Sequence, residues 1–430
     1  MSRTFVFSAV VLRVVPFFFG MSCLSQTLSG QQAYTWQQIR DKFESSNPTL
    51  RAGEIGIAES RAQEITAYLR PNPDVTLATD GTQLVPSQGA WHVLEGTQFS
   101  WSLSYLHERQ GKRELRRDSA QKGTDVAVSQ LADQERTLLF TLRNAFVQTL
   151  QAKAVLELSR DNLAYYDQVL TISRQRFNAG DIARVDLDRL ELQRVQYQQD
   201  LETSTVNLRT AKIQLLTLLN DRTPVEQFDI TGPFDFTEQT ASLEELRQMA
   251  QDARPDLRAA VEAVDKAKTD HRLAVANGSV DPTFTGWYTH NPSFNNPFDD
   301  NTIGGSVSVP LRIFDRNQGE KLRTQLDIGR NEQLVNATVA QVFSDVDSAY
   351  VTLHSSINLL RPYKEKDLAQ SLHVRDTITF SYQQGGASLI DFLNAQNDYR
   401  TTQRAYLNLI GTYLTAAAQL NLAVGREVIS

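Results

Sequence analysis

Along most of this chain the apolar residues return in alternating steps of three and four. Leu138, Leu142, Ala145, Thr149, Ala152, Leu156, Ser159, Leu163, Tyr166, Leu170, Ser173 and Phe177 form one such row. Beyond a glycine the row resumes at Leu187, Leu190, Arg194, Tyr197, Leu201, Ser204, Leu208, Ala211, Leu215 and Leu218. This spacing is the seam of paired helices. It predicts two helices joined at Gly180, a residue that tolerates the positive φ of a helix C-cap, with short polar residues suited to the next N-cap.

The hairpin is written twice. The run Phe177-Asn178-Ala179-Gly180-Asp181-Ile182-Ala183-Arg184-Val185-Asp186-Leu187 returns, without a gap, as Tyr382-Gln383-Gln384-Gly385-Gly386-Ala387-Ser388-Leu389-Ile390-Asp391-Phe392. Gly385 stands 205 residues after Gly180, and the second seam follows at Phe392, Ala395, Tyr399, Thr402, Tyr406, Leu409, Tyr413, Ala416, Leu420 and Ala423. The chain is a duplicated fold rather than a string of unrelated domains. Each half also opens on a helix entered through proline, at Asn47-Pro48 and at Arg254-Pro255-Asp256-Leu257. The first of these ends at Pro71-Asn72-Pro73, the second near Asn277-Gly278. Ahead of both, Thr35-Trp36-Gln37-Gln38 has the form of a capping box.

After each of these helices the period falls to two. Phe99-Ser100-Trp101-Ser102-Leu103-Ser104-Tyr105 alternates bulky apolar with small polar residues, and so does Val307-Ser308-Val309-Pro310-Leu311-Arg312-Ile313. Val75 with Leu77, and Phe284 with Gly286 and Tyr288, give weaker versions. Four strands in two hairpins are predicted, with tips at Pro86 to Gly89 and Asn291 to Pro297. One apolar and one hydroxyl face suits a membrane barrel as well as a soluble sandwich. Closure separates the two readings. Four strands are too few for a membrane barrel, whose smallest forms have about eight, and open edges are not tolerated in hydrocarbon. If the strands lie in a membrane, several chains share one barrel. The helices demand company too: from Lys112 to Asn178 no proline intervenes, which is ~100 Å of helix at 1.5 Å per residue. Gly123 and Pro362 are expected to mark bends or breaks.

Composition narrows the field. The 430 residues carry a net charge of −7 with 41% hydrophobic residues, which excludes a disordered chain and gives no sign of nucleic-acid binding. Cys23 is the single cysteine, so internal disulfides and thiolate metal clusters are excluded. It lies in a leader: Arg3 is followed by a broken apolar run from Phe5 to Phe19, too short to span a bilayer, with cleavage expected around Thr27-Leu28-Ser29-Gly30. Cys23 also leaves open an acylated N-terminus, although Gly20-Met21-Ser22 lacks the aliphatic residue usual before such a site. The expected organisation is a signal peptide over 1–30, a first repeat over 31–225, a linker over 226–253 and a second repeat over 254–430.

Six ordered motifs carry a resemblance. They are Asn47-Pro48 with Pro71-Asn72-Pro73; Gln110-Gly111-Lys112-Arg113; Gly180 to Asp186; Arg254 to Leu257; Pro310-Leu311-Arg312-Ile313-Phe314-Asp315-Arg316-Asn317-Gln318-Gly319; and Gly385 to Asp391. On a twofold repeat behind a signal, the set resembles the TolC family of outer-membrane efflux channels, in its CzcC- and CusC-like heavy-metal branch. The resemblance covers nearly the whole mature chain. It implies a mainly α fold with a small membrane β part. Three chains would complete a twelve-stranded barrel continued by a helical tunnel into the periplasm, with Asp221 to Asp252 in an equatorial belt. It also implies passive conduction from an inner-membrane RND-type pump through a periplasmic adaptor, with no catalysis and no cofactor.

The resemblance further places roles on residues. The turns at Gly180, Asp181, Ile182, Ala183 and Arg184, and at Gly385, Gly386, Ala387, Ser388 and Leu389, become periplasmic tips that touch the adaptor. Asp391 aligns with a carboxylate facing the tunnel entrance, where symmetry copies would form an acidic ring. The family's second carboxylate is here Asn394, and Asp186 occupies the matching place in the first hairpin. A carboxylate in a first helical turn is also favoured by the helix dipole, whatever else it does. Gly111, Pro310 and Gly319 fall at strand-to-helix joints. Tyr399, Tyr406 and Tyr413 are expected to pack in the seam.

Other readings differ in what they require. A structural coiled-coil protein needs the alternating segments to avoid lipid, and a type I secretion channel would share this fold. An enzyme would need chemistry that is absent from the motifs: no nucleophile elbow, phosphate loop or metal-ligand spacing among His92, His107, His271, His290, His354 and His373.

Overall fold

The computed structural model describes residues 33–86, 89–91, 93–94, 96–238, 241–291 and 300–429. The leader with Cys23, most of the Asn291–Pro297 tip and part of the Pro86–Gly89 tip lie outside the described residues.

Thr35 caps α1 (Trp36–Ser46): its hydroxyl accepts from the Gln38 amide while the Gln38 side chain accepts from the Thr35 amide. Asn47 caps α2 (Pro48–Ala67) by accepting from the amides of Thr49 and Leu50, and Pro48 takes the first helical position, where no donor is needed. β1 (Asp74–Asp80) and β2 (Gln98–Leu106) follow, then α3 (Lys112–Ala179), a single helix of 68 residues. The turn at Gly180 leads into α4 (Arg184–Leu218). A linker with a short 3₁₀ turn at Val225–Gln227 reaches α5 (Leu243–Ala253), which Ser242 and Glu245 cap reciprocally.

The second half repeats the order: α6 (Pro255–Asn277), β3 (Thr283–His290), β4 (Asn301–Ser308), α7 (Gln318–Pro362), α8 (Leu368–Gln383) and α9 (Leu389–Val424). Between α7 and α8 the residues Tyr363–Asp367 wind as one π turn. Pro362 thus marks a change of helix, as its missing amide requires. Gly123 does not: α3 runs through it unbroken. There a Cβ would meet only the Lys266 side chain of α6, at an ordinary contact distance of 3.4 Å.

The seam is where the spacing puts it. Leu142, Ala145, Thr149, Leu156, Ser159, Tyr166, Leu170 and Ser173 on α3 are buried, as are Leu187, Leu190, Tyr197, Ser204, Ala211 and Leu215 on α4. Midway, the Ser159 and Ser204 hydroxyls bond to each other at 3.0 Å. Tyr413 is buried on α9, its hydroxyl donating to the Thr237 carbonyl and accepting from the Thr237 amide, so it is a packing residue that fastens the linker.

The four strands make one antiparallel sheet in the order β1-β2-β3-β4, the central pair joining the two repeats. Direct cross-strand partners share a face. Val75 pairs Leu103, Leu77 pairs Trp101, Trp101 pairs Tyr288, Phe284 pairs Val307 and Tyr288 pairs Ile303, which gathers the large apolar residues on one side. Ser100, Ser102, Ser104, Thr285, Thr289 and Ser306 fall on the other.

The fourth strand is earlier than the alternation at Val307–Ile313 suggests. It ends at Ser308, and Val309 to Ile313 run on as a connection in which Val309, Pro310, Leu311 and Ile313 are exposed. Pro310 has no amide to continue a ladder, while Gly304-Gly305 interrupts the period-two signal inside the true strand.

The joints to the long helices are also unequal. Gly111 is left-handed (φ 63°) as the N-cap of α3. In the second half that conformation belongs to Asn317 (φ 60°), whose side chain donates to the Ala274 carbonyl, and Gly319 is an ordinary helical residue. Asparagine tolerates this conformation better than other side chains, so the glycine is not needed. Lys112, 4% exposed, locks the first joint through an ion pair of 2.5 Å with Asp281 at the foot of β3.

Candidate functional site at the paired hairpin tips

The two hairpin turns lie together at the end of the bundle away from the sheet. Tyr166, Leu170, Leu187, Leu190 and Tyr197 of the first hairpin form one apolar cluster with Tyr382, Leu389 and Phe392 of the second. Tyr166 stacks on Tyr197 with ring centres 4.5 Å apart, and its hydroxyl donates to the Leu190 carbonyl. Burial pushes the Tyr166 phenol far above its usual range and raises that of Tyr197. Tyr382 stacks on Phe392 and is likewise raised, by burial first and by the nearby Asp186 carboxylate in the same direction.

Charged side chains tie the hairpins across this cluster. Arg176 on α3 donates to the Tyr382 carbonyl at 3.0 Å and lies over the Tyr382 ring. Arg375 on α8 sits between Tyr165 of α3 and Tyr399 of α9. Arg400 on α9 pairs with Asp200 on α4 at 2.9 Å, both largely buried, and covers Tyr197. None of these arginines was singled out by the sequence: Arg176 stands just before the repeated motif, Arg375 and Arg400 two turns from it, and their partners lie on other helices.

Gly180 (φ 86°) and Gly385 (φ 80°) both occupy the left-handed region, where side chains are disfavoured. Asp181, Ala183, Arg184, Gly386 and Ser388 are exposed, while Ile182 and Ala387 are half-buried against the cluster. Leu389 is different: it is buried in the cluster and offers no surface. The apolar surface at the tips comes from the next residue in each repeat, Val185 (55% exposed) and Ile390 (62% exposed). Their alignment 205 residues apart was the available signal.

The two carboxylates are not equivalent. Ser388 caps α9, and Asp391 closes the box: Ser388 Oγ donates to its carboxylate at 2.6 Å and in turn accepts from the Asp391 amide. Asp391 is exposed, with Asn394 exposed about one turn further on. At the first tip the N-cap is Ala183, which has no side-chain acceptor, and half-buried Asp186 makes no such box. Asp391 therefore has both a structural partner and a solvent face. Among the described residues, no group of three His, Cys, Asp or Glu side chains is placed to hold a metal, and no helix is long and apolar enough to cross a membrane.

A duplicated pair of long helical hairpins, joined by a four-stranded sheet with an outward apolar face, is the frame that the comparisons recognise. The profile of the outer membrane efflux protein family matches residues 39–221 and 246–426, one segment in each repeat. The chain belongs to that family. This outer membrane efflux protein is 23% identical, over 89% of its length and 87% of the relative's, to the cobalt-zinc-cadmium resistance protein CzcC of Cupriavidus metallidurans. It is 22% identical to the outer membrane protein TolC of Escherichia coli, over 96% of its length and 86% of that protein's. Its fold is similar to that of CusC, with a TM-score of 0.75 and 16% identity over 91% of this chain and 92% of that one. It is also similar to the open state of the MtrE channel of Neisseria gonorrhoeae, with a TM-score of 0.74 and 18% identity over 91% and 89%. The efflux protein works in the outer membrane and periplasm as the passive exit channel of a tripartite system, and it is not an enzyme.

Proposed function

We propose that three copies of this chain form one duct, each giving its four strands to a shared twelve-stranded barrel and its hairpins to a periplasmic tunnel. The observation that carries this reading is the sheet. Its apolar face is uncovered, with Trp101 at 60% and Ile303 at 87% exposure, and β1 and β4 are edges without a partner among the described residues. Lipid covers the face and the neighbouring copies pair the edges, which leaves the hydroxyl side for water. A second stripe supports the same assembly. Leu192, Val206 and Ile213 are exposed on α4 and recur at multiples of seven, away from the buried seam, as a helix with a second neighbour requires.

The boundaries at 31–225, 226–253 and 254–430 describe two wall units and a belt. The tips around Gly180 and Gly385, with Val185 and Ile390, are the surface offered to the adaptor. Asp391 contributes to a ring at the entrance that Asn394 leaves less charged. Cargo is selected by the pump, and heavy-metal cations and small toxic compounds are the proposed classes.

A disulfide test separates copies from one chain. Thr76→Cys on β1 and Ser306→Cys on β4, in a Cys23→Ser background, stand three strand spacings apart within one chain and two residues out of register, more than about 14 Å and too far to bridge. Shared-barrel pairing yields a ladder of one, two and three chains on a denaturing gel. A ladder that stops at two, or runs past three, contradicts the trimer.

A further inference from the structure

One aromatic side chain stands on the hydroxyl face. Trp287 stands in the middle of β3, opposite Ser102 on β2 and Gly304 on β4. Its neighbours on that face are short: Ser100, Thr285, Thr289 and Ser306. The other tryptophan of the strands, Trp101, lies on the apolar face, where an indole needs no explanation in a membrane protein.

The indole of Trp287 lies flat on Gly304. A Cβ built on that glycine would stand 2.4 Å from ring atoms Cε2 and Cζ2 and 2.7 Å from Nε1. Ordinary carbon contacts are about 3.5–4.0 Å, so a single methyl group there would push the ring away by roughly 1 Å or more. Side chains move between staggered wells rather than by small increments. The ring that loses its berth therefore turns off the wall. Gly304 has a negative or extended backbone, outside the left-handed region, so its lack of a side chain is explained by the indole and not by a turn.

We propose that Trp287 sets the usable width of the barrel bore, with Gly304 as the recess that keeps the indole against the wall. This rests on the shared barrel, in which the hydroxyl face lines the lumen and three indoles meet the passing solute at one level. Laid flat, the rings leave the bore open; turned inward, they narrow it. An aromatic collar among hydroxyls also retards flat apolar solutes more than hydrated ions, because a ring face offers them a stacking surface.

The test uses full-length protein in lipid bilayers, with two readouts. In the first, Trp36, Trp91 and Trp101 are replaced by Phe, and Trp287 fluorescence is challenged with aqueous acrylamide or with brominated acyl chains. The second finds the largest polyethylene glycol that enters the barrel from the side of the strand hairpins, which does not depend on the helical tips. The proposal expects quenching by acrylamide and not by brominated lipid. It also expects a lower polymer limit in Gly304→Ala, restored in Gly304→Ala/Trp287→Ala. A limit that stays low in the double variant shows that the narrowing does not run through the indole and overturns the proposal. So does a limit unchanged in both Gly304→Ala and Trp287→Ala. Quenching by brominated lipid has a wider consequence: it overturns the assignment of the faces, and with it the shared barrel.

Discussion

Arg176 and Tyr382 join the two hairpins at their tips: the guanidinium donates to the Tyr382 carbonyl at 3.0 Å and covers its ring, with 5.4 Å to the ring centre. The acceptor sits three residues before Gly385, so this contact fixes where the second turn begins relative to the first helix. It spans two halves that local sequence otherwise builds independently.

Removing it loosens the second tip without unfolding the bundle. Arg176→Ala loses one hydrogen bond from a charged donor and one cation–π contact, about 1.5–3 kcal/mol and 0.5–1 kcal/mol in typical cases. Amide exchange is expected to rise from Tyr382 to Phe392 while the Ser159–Ser204 level of the seam stays protected. Equal protection in variant and wild type would show that the apolar cluster holds the tip alone.

The unequal strand-to-helix joints give opposite outcomes for two glycines. Gly111→Ala strains a φ of 63° and is expected to destabilise the chain by about 1 kcal/mol. Gly319 is helical, with open space where a Cβ would go, so Gly319→Ala is expected to be neutral or to stabilise by about 0.5–1 kcal/mol. Thermal unfolding of the two variants side by side checks this. Destabilisation of the same size in both would mean that the joints are alike after all.

Much of this architecture was legible in the sequence because helix seams, capping boxes and the 205-residue repeat are local or periodic signals. The seam from Leu142 to Ser173 could be read from spacing alone, as could the proline entries at Pro48 and Pro255. What escaped was relational. The fourth strand was displaced because Gly304-Gly305 hides its alternation, and the ring packed on Gly304, that of Trp287, is on another strand. Leu389 looked like a turn residue because nothing nearby reveals the cluster from the other hairpin that buries it. Arg254 was visible as part of a motif, but its partners Asp345 and the Ala423 carbonyl are about 90 and 170 residues away.

That arginine is buried at the entry to α6. Arg254, 4% exposed, binds Asp256 at 2.6 Å and Asp345 at 2.8 Å and donates to the Ala423 carbonyl. Burial works against its charge, but hydrogen bonds and charge from the two carboxylates outweigh burial and raise its pKa. Burial likewise works against the Asp256 carboxylate, and the Arg254 guanidinium outweighs it and holds that carboxyl below the usual range. Arg254→Ala removes the shared donor of two carboxylates and a carbonyl, although Gln341 still donates to Asp345; with both carboxylates partly exposed the loss is expected to be about 2–3 kcal/mol. Denaturant unfolding measures it, and a loss below about 1 kcal/mol would place these groups in contact with water.

Asp221 supplies an acid-sensitive clip between α1 and the end of α4. Lys42 donates to it at 2.5 Å, and Thr223 adds backbone and hydroxyl donors. These hold its carboxyl at about 2, below the ordinary 3.8. A depressed carboxylate contributes stability that is present above its unfolded value and lost as pH falls through the folded one. Asp221→Asn is therefore expected to lower stability at neutral pH and to flatten the pH dependence between 3.8 and about 2. Parallel acid-unfolding curves for variant and wild type would exclude the clip.

The central claim is that several chains make one water-filled duct. Single-channel recording of the detergent-purified protein in planar bilayers tests it most directly, with Asp391→Asn beside the wild type. That change removes the charge and keeps an oxygen to accept from Ser388 at the α9 N-terminus. The account predicts discrete, cation-selective openings whose selectivity falls in the variant. A protein that stays monomeric and monodisperse without detergent and yields no conductance would contradict the duct and return the strands to a soluble sheet.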